Sequence, residues 1–235
     1  MNLILLDESD YVDDTTVRLE GRRLAHVRTV HRATEGDSLR VGLIGGRMGT
    51  GLISRLTDSS LEMRIALDQT PPEPLDVQLF LALPRPKFLA KCLQTATSLG
   101  VKKIWLFNAY KVEKIYWSCA QLTEPEVREA CLLGLEQARD TLLPTVETRR
   151  LFKPFVEDEM PGLLKGTRAL LAHPGGSTHF PSRVDGPVSL VIGPEGGFID
   201  YEVEKLVAAG CETVSVGERI LKVETAVAAL LGRLL

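Results

Sequence analysis

The sequence predicts an α/β protein with a small β-rich domain at its front, and three observations carry that expectation. From residue 75 onward, short apolar runs alternate with stretches of helical spacing, the pattern of a mostly parallel sheet covered on both faces. Before residue 70 the runs are short, alternate in polarity and are broken by turn residues, as in a small barrel-like β domain. Between them lies Thr70-Pro71-Pro72-Glu73-Pro74, where three prolines in four residues make a stiff connector that continues neither strand nor helix. The expected domains are therefore 1–70 and 75–235.

The opening MNLILL lacks a basic flank and runs into Asp7, Glu8 and Asp10, so it reads as a first strand rather than a signal peptide. A helix is expected over Arg23–Ala33. The runs Ser38–Ile44, Met48–Leu56 and Ser60–Leu67 follow as consecutive antiparallel strands, punctuated by Glu35-Gly36-Asp37, Gly45-Gly46 and Asp58-Ser59-Ser60. After the connector, Val77–Ala82 is a buried strand and Lys87–Ser98 a helix stopped by Gly100. Val101–Phe107 is a strand and Glu124–Ala138 a helix with Thr123 as its cap. Further strands are expected at Thr145–Arg149, Ala169–Ala172 and Ser189–Ile192, and further helices at Ile199–Ala209 and Thr225–Leu235.

The 235 residues, 44% hydrophobic and 25% charged, are ordinary for a soluble globular protein. No apolar stretch approaches the roughly 18–20 residues of a membrane span. Cys92, Cys119, Cys131 and Cys211 are scattered, with no CxxC pair, which reads as free thiols in a reducing compartment and points to the cytoplasm. His26, His31, His173 and His179 have neither metal spacing nor the company of a nucleophilic triad, so no metal is expected. A net charge of −3 argues mildly against a nucleic-acid coat. The sum conceals an asymmetry, because eight arginines between Arg22 and Arg64 face only Glu35, Asp37, Asp58 and Glu62, and no lysine precedes Lys87. Arginine suits bidentate phosphate contact; it equally solvates the faces of charge-rich strands. Both readings stand at this point.

Three glycine-bearing strand ends are the chemical signals. Val191-Ile192-Gly193-Pro194-Glu195-Gly196-Gly197-Phe198 leads from a buried strand through a glycine-rich turn into a helix. It is neither a dinucleotide fingerprint nor a P-loop, since the glycine spacing differs and the Lys-Ser/Thr pair is missing. Alone, such a turn serves as well for a tight connection as for a site. Val214-Ser215-Val216-Gly217-Glu218-Arg219-Ile220-Leu221-Lys222-Val223-Glu224-Thr225-Ala226 repeats the pattern, with Thr225 in the cap region and Glu224 near the positive end of the helix. Leu170-Leu171-Ala172-His173-Pro174-Gly175-Gly176 is a third edge. Three such ends can meet one ligand at the carboxyl edge of the sheet.

VIGPEGGF followed by GERILKVETA resembles the signature pair of the small-subunit (16S) ribosomal RNA uridine-N3 methyltransferases, a branch of the knotted SPOUT superfamily. His26-Val27-Arg28-Thr29-Val30-His31-Arg32 through Gly36-Asp37 matches that family's N-terminal element, and Thr95-Ala96-Thr97-Ser98-Leu99-Gly100-Val101 its KATELGV helix. The resemblance spans essentially the whole chain. Departures lie at Lys222, Thr95, Ser98, Tyr110-Lys111-Val112 (where a Thr-Glu-Arg-Ser-like segment is usual) and Asp140.

The resemblance implies a C-terminal trefoil-knotted α/β domain behind a PUA-like or OB-like β-barrel domain, a homodimer, and S-adenosylmethionine as cofactor. The implied cofactor loops are Leu171, Ala172, His173 and Pro174; Ile192, Gly193, Pro194, Glu195, Gly196 and Gly197; and Val216, Gly217, Ile220, Leu221 and Val223. A branched side chain at Gly196 is expected to enter the adenosine slot or to forbid the turn. Arg219 and Glu224, beside the second motif, are the candidates for chemistry; otherwise they are a salt-bridged loop residue and a helix-end acid. Arg22, Arg23, Arg28, Arg32, Arg85 and Lys87 are the candidates for holding RNA, with 16S ribosomal RNA in the small subunit as expected partner. The apolar residues Val227, Leu230, Leu231 and Leu234 are expected at the subunit contact. The other readings are a ribosome-assembly factor that binds RNA without catalysis, and a methyltransferase acting on another RNA.

Overall fold

The computed structural model describes residues 2–176, 178–181 and 184–235. Met1 of the opening apolar run lies outside the described residues. Two compact units result: Met1–Glu73 with Leu132–Leu143, and Pro74–Cys131 with Pro144–Leu235.

The first unit holds a five-stranded sheet of β1 (Ile4–Leu6), β2 (Thr16–Leu19), β3 (Ser38–Leu43), β4 (Met48–Leu56) and β5 (Leu61–Gln69), in the order β1-β3-β4-β5-β2. The β3–β4, β4–β5 and β5–β2 pairs are antiparallel, while β1 joins β3 in parallel. Strands β1 and β2 lie at the two edges, and no pairing between them closes the sheet among the described residues. At the β4 register shift between Met48 and Gly49, a Cβ on Gly49 would stand 1.9 Å from the Ala66 carbonyl oxygen, so only glycine fits. The expected helix is α1 (Gly21–His26), running into one π turn (Val27–His31) that ends at Arg32 with φ 52. Leu24 and Val27 from this segment pack on Ile4, Leu6, Val17, Leu19, Ile53 and Met63.

The boundary expected from the prolines misses one segment. Residues Leu132–Leu143 group with the first unit because their apolar side chains complete a second cluster there: Leu135 packs with Leu3 and Leu5, flanked by Leu132, Leu143, Ile44 and Met48. Polar bonds fix the same segment. Glu136, 3% exposed, accepts both arms of the Arg22 guanidinium at 2.9 and 3.0 Å. The Thr141 hydroxyl donates to Gly46 O at 2.6 Å.

The second unit is α/β, with an all-parallel seven-stranded sheet. Its strands are β6 (Val77–Ala82), β7 (Lys103–Phe107), β8 (Thr145–Arg149), β9 (Arg168–Ala172), β10 (Thr178–His179), β11 (Val188–Ile192) and β12 (Glu212–Ser215). The order is β10-β12-β9-β11-β6-β7-β8. Every residue of β11 is buried, as a central strand covered on both faces requires. The helices are α2 (Pro86–Ser98), the first part of α3 (Glu124–Ala138, whose residues from Leu132 on belong to the first unit), α4 (Phe152–Pro154), α5 (Met160–Leu163), α6 (Asp200–Ala208) and α7 (Val223–Leu231), with a π turn at Phe155–Glu159 between α4 and α5. Phe155 from that turn meets Phe80, Trp105 and Phe107 at centroid distances of 6.1, 6.0 and 5.6 Å, an aromatic core on one sheet face.

Thr123 holds the extended position before α3, its carbonyl accepting from Val127 N at 3.0 Å while its hydroxyl donates to Ala120 O at 2.8 Å. One expected cap is corrected. Thr225 lies inside α7, whose N-cap position is Lys222. The apolar face of α7 is also not free for a subunit contact: Val227, Leu230 and Leu231 are 0%, 2% and 0% exposed, and the helix packs against α2. No helix among the described residues is long and apolar enough to cross a membrane.

Candidate active site

Parallel pairing places the carboxyl ends of β6, β7, β9, β11 and β12 along one edge of the sheet, and the glycine-bearing segments leave from there. After β11 the chain turns at once: Gly197 N donates to Pro194 O at 2.8 Å, and Gly197 takes φ +68. The left-handed position of this turn is Gly197 and not Gly196. A Cβ on Gly196 would instead stand 2.6 Å from Cδ of Lys111. Phe198 ends the turn in a stack on Phe107, with centroids 6.0 Å apart.

Two hydrogen bonds tie this turn to neighbouring segments, and Glu202 makes two more just after it. Glu195 Oε1 accepts from Arg85 N at 2.9 Å, at the start of α2. Lys111 Nζ donates to Gly196 O at 2.6 Å. Glu202, 2% exposed, accepts from Ile199 N through Oε2 at 3.0 Å and from Tyr110 N through Oε1 at 2.6 Å. The first of these is half of a capping box, since Ile199 has no side-chain acceptor to complete it. After β9, His173 N donates to Val214 O at 2.9 Å, which brings that loop onto β12. After β12, Gly217 N donates to the Ser215 hydroxyl at 3.2 Å, and the chain then passes Arg219 into α7.

The three segments enclose one cleft of about 250 Å³. Every expected cofactor residue lines it except Leu171. That side chain is fully buried in the sheet, paired between Val191 and Thr213, because alternation along β9 turns it into the core. Sequence reasoning missed Phe198, Val214, Ser215, Ala226 and Leu230 as lining residues. The last two were legible in principle, since they recur at helical spacing with Val223 on α7.

Arg219 lines the cleft, whereas Glu224 does not. Glu224 Oε2 is buried with no hydrogen-bond partner among the described residues. Burial pushes the nearby Cys92 thiol up to about 12, with the Glu224 and Glu195 charges adding to the effect, so Cys92 stays protonated and inert. Among the described residues no group of three or more His, Cys, Asp or Glu is placed to hold a metal ion.

The expected RNA contacts divide by their partners. Arg22 is held by Glu136, and Arg23 by Asp10, its Nη2 lying 2.7 Å from Oδ1, so both forks are already engaged. Arg28 pairs with the exposed Asp58 at 2.8 Å. Arg32 stands exposed at the left-handed end of the helical segment. Arg85 begins α2, and Lys87 Nζ lies 4.8 Å over the Phe88 ring.

The family model described as an RNA methyltransferase domain matches residues 71–235. The chain belongs to that family. Its three cleft segments all fall within the matched RNA methyltransferase domain. Among relatives, ribosomal RNA small subunit methyltransferase E of Treponema pallidum is 26% identical over 242 residues, covering 97% of this chain and 88% of that protein. The protein of the same name from Synechocystis is 27% identical over 221 residues, covering 92% and 72%. The fold is shared with the S-adenosylmethionine-bound ribosomal RNA small subunit methyltransferase E of Neisseria gonorrhoeae, at TM-score 0.75 and 23% identity over 99% of this chain and 95% of that one. It is shared also with a Legionella pneumophila protein solved with bound cofactor, at TM-score 0.79 and 24% identity over 98% and 95%.

Proposed function

We propose that this RNA methyltransferase transfers a methyl group from S-adenosylmethionine to N3 of a uridine of 16S ribosomal RNA in the small ribosomal subunit. In this reading it works in the cytoplasm as a homodimer, the chain is knotted at the cleft segments, and the first unit is a PUA-like barrel that grips RNA. The observation carrying the reading is the meeting of three glycine-bearing strand ends in one cleft. Because Val227, Leu230 and Leu231 are interior, the dimer contact uses other side chains.

The cleft fits the cofactor's chemistry. S-adenosylmethionine has no phosphate, so it needs an apolar slot for adenine with backbone donors and acceptors at its edge. Ile192, Leu221, Val223 and Leu230 supply the apolar walls, and the turn through Gly193, Gly196 and Gly197 supplies backbone groups without side chains in the way. When bound, the cofactor supplies an electrophilic methyl group. The chain must align a uracil and help remove its N3 proton, most of the gain coming from positioning. Arg219, which lines the cleft, is placed to stabilise the uracil anion, whereas Glu224 lies outside that lining and takes no direct part, the N3 proton passing to water. The target must be unpaired or flipped out, because N3–H is occupied in a base pair.

The deciding assay is methyl transfer from labelled cofactor to small subunits and to naked 16S RNA, read by nucleoside mass spectrometry. N3-methyluridine is expected, in higher yield on assembled subunits; a product on cytosine or a ribose hydroxyl overturns the uridine assignment. Two variants probe the parts. Gly197→Val should weaken S-adenosylmethionine binding by about 10- to 100-fold in calorimetry, since a β-branched residue at φ +68 costs on the order of 1–3 kcal/mol. Gly197→Asn, which tolerates that region, should retain most affinity; equal binding by all three proteins would remove this turn from the cofactor site. Reversing charge at Arg28 and Arg32 should weaken RNA binding, lower the salt slope by roughly 0.7–0.9 per lost phosphate contact and leave cofactor affinity unchanged. An unaltered slope would take these two residues off the RNA surface.

A further inference from the structure

Beyond the carboxyl end of β7 the chain turns through Ala109-Tyr110-Lys111-Val112, closed by Val112 N donating to Ala109 O at 3.0 Å. The ends of the turn are anchored, with Ala109 and Val112 2% and 7% exposed, while Tyr110 is 78% exposed. The ring and hydroxyl of Tyr110 have no hydrogen bond and no ring contact among the described residues. Its backbone, by contrast, is pinned twice against the glycine turn. Tyr110 N donates to the buried Glu202 carboxylate at 2.6 Å, and the adjacent Lys111 Nζ donates to Gly196 O at 2.6 Å. Gly196 is itself a wall of the cleft. An uncovered aromatic ring is thus held on a fixed backbone at the rim of the site. Arg85 starts α2 beside the same turn, its backbone N–H donating to Glu195, and Arg150 packs on Trp117.

We infer that Tyr110 is a stacking platform for the nucleobase that flanks the target uridine. The inference rests on the proposed uridine methylation and adds a specificity contact to it. Extruding a base from a strand leaves its neighbour with an uncovered face, and an aromatic side chain can replace the lost stack. A ring presented on a pinned turn does so at little cost in side-chain order, because only two side-chain torsions remain to be fixed.

The test is RNA affinity and KM for Tyr110→Ala, Tyr110→Leu and Tyr110→Phe, using a 16S RNA fragment and copies of it with an abasic nucleotide on either side of the target. Tyr110→Ala and Tyr110→Leu should bind about 5- to 150-fold more weakly, the range for losing one base–aromatic stack. Tyr110→Phe should bind like the wild type, and S-adenosylmethionine affinity should hold in all three. With one of the abasic fragments, Tyr110→Ala should lose little further, since the stacked partner is already gone. The inference is overturned if Tyr110→Ala binds RNA normally, if Tyr110→Leu matches Tyr110→Phe, or if the two losses add on every fragment. It is overturned also if light scattering shows that Tyr110→Ala changes the oligomeric state, which would assign the ring to a second copy. Wild-type protein that shows this coupling in binding yet yields no N3-methyluridine would refute the proposed reaction and leave the platform standing.

Discussion

Arg219→Ala lowers kcat by about 100- to 1,000-fold while S-adenosylmethionine affinity changes only a few-fold; that is the expected result of removing the only Arg or Lys from the described lining of the cleft. Removing the N3 proton places negative charge on the uracil ring in a site with restricted water, where a fixed cation stabilises it more than solvent would. The measurement is single-turnover methyl transfer at saturating RNA, with calorimetry for the cofactor. Arg219→Lys keeps the charge without the planar fork and should fall between the two. A kcat unchanged in Arg219→Ala would make Arg219 a loop residue with no part in the chemistry.

The second large effect is on stability. Glu202 is 2% exposed and satisfies two backbone donors with its two oxygens, Ile199 N at the start of α6 and Tyr110 N after β7. Glu202→Ala leaves both without their acceptor, at about 1–3 kcal/mol each, and also removes an acid from the positive end of a helix. A loss of about 2–5 kcal/mol is expected, seen as a lower Tm and as faster hydrogen exchange at the Ile199 and Tyr110 amides. Glu202→Gln should lose less, because its amide oxygen still accepts from one donor while its NH2 group faces the other. An unchanged Tm in Glu202→Ala would mean that water takes over both bonds.

Much of the second unit was legible because its signals are local. The apolar runs of β6 and β11 are bounded by proline or glycine, and α3 and β8 have the residues expected from their patterns. Strand β2 was missed because four residues within an acidic stretch carry too little alternation to register. The segment from α4 to α5 was missed because Pro154, Pro161 and Gly162 interrupt its helical pattern. Periodicity says that a helix has an apolar face but not what covers it, hence the assignment of Val227, Leu230 and Leu231 to a subunit contact and of Leu132–Leu143 to the wrong unit. The site shows the same division. Glycine and proline after a strand mark a turn within a few residues, so the three segments could be named. The Lys111–Gly196 and Tyr110–Glu202 bonds join residues 85 and 92 positions apart, and the acids that hold Arg22 and Arg23 lie 114 and 13 positions away. No local pattern encodes such pairs.

The return of Leu132–Leu143 to the first unit sets a timetable for the growing chain. When the ribosome has made residues up to Glu73, the five strands of the first sheet exist, yet the leucines that cover Leu3 and Leu5 are not yet synthesised. Nor is Glu136, so Arg22 has no carboxylate to meet. At roughly 5–20 residues per second, several seconds pass before this stretch is made and can emerge. Over that interval an apolar sheet face stays open, and β6, α2 and β7 are added before it can be covered. The N-terminal unit is therefore completed only after part of the second unit has been made, and a fragment cut at the proline connector would remain permanently in that unfinished state.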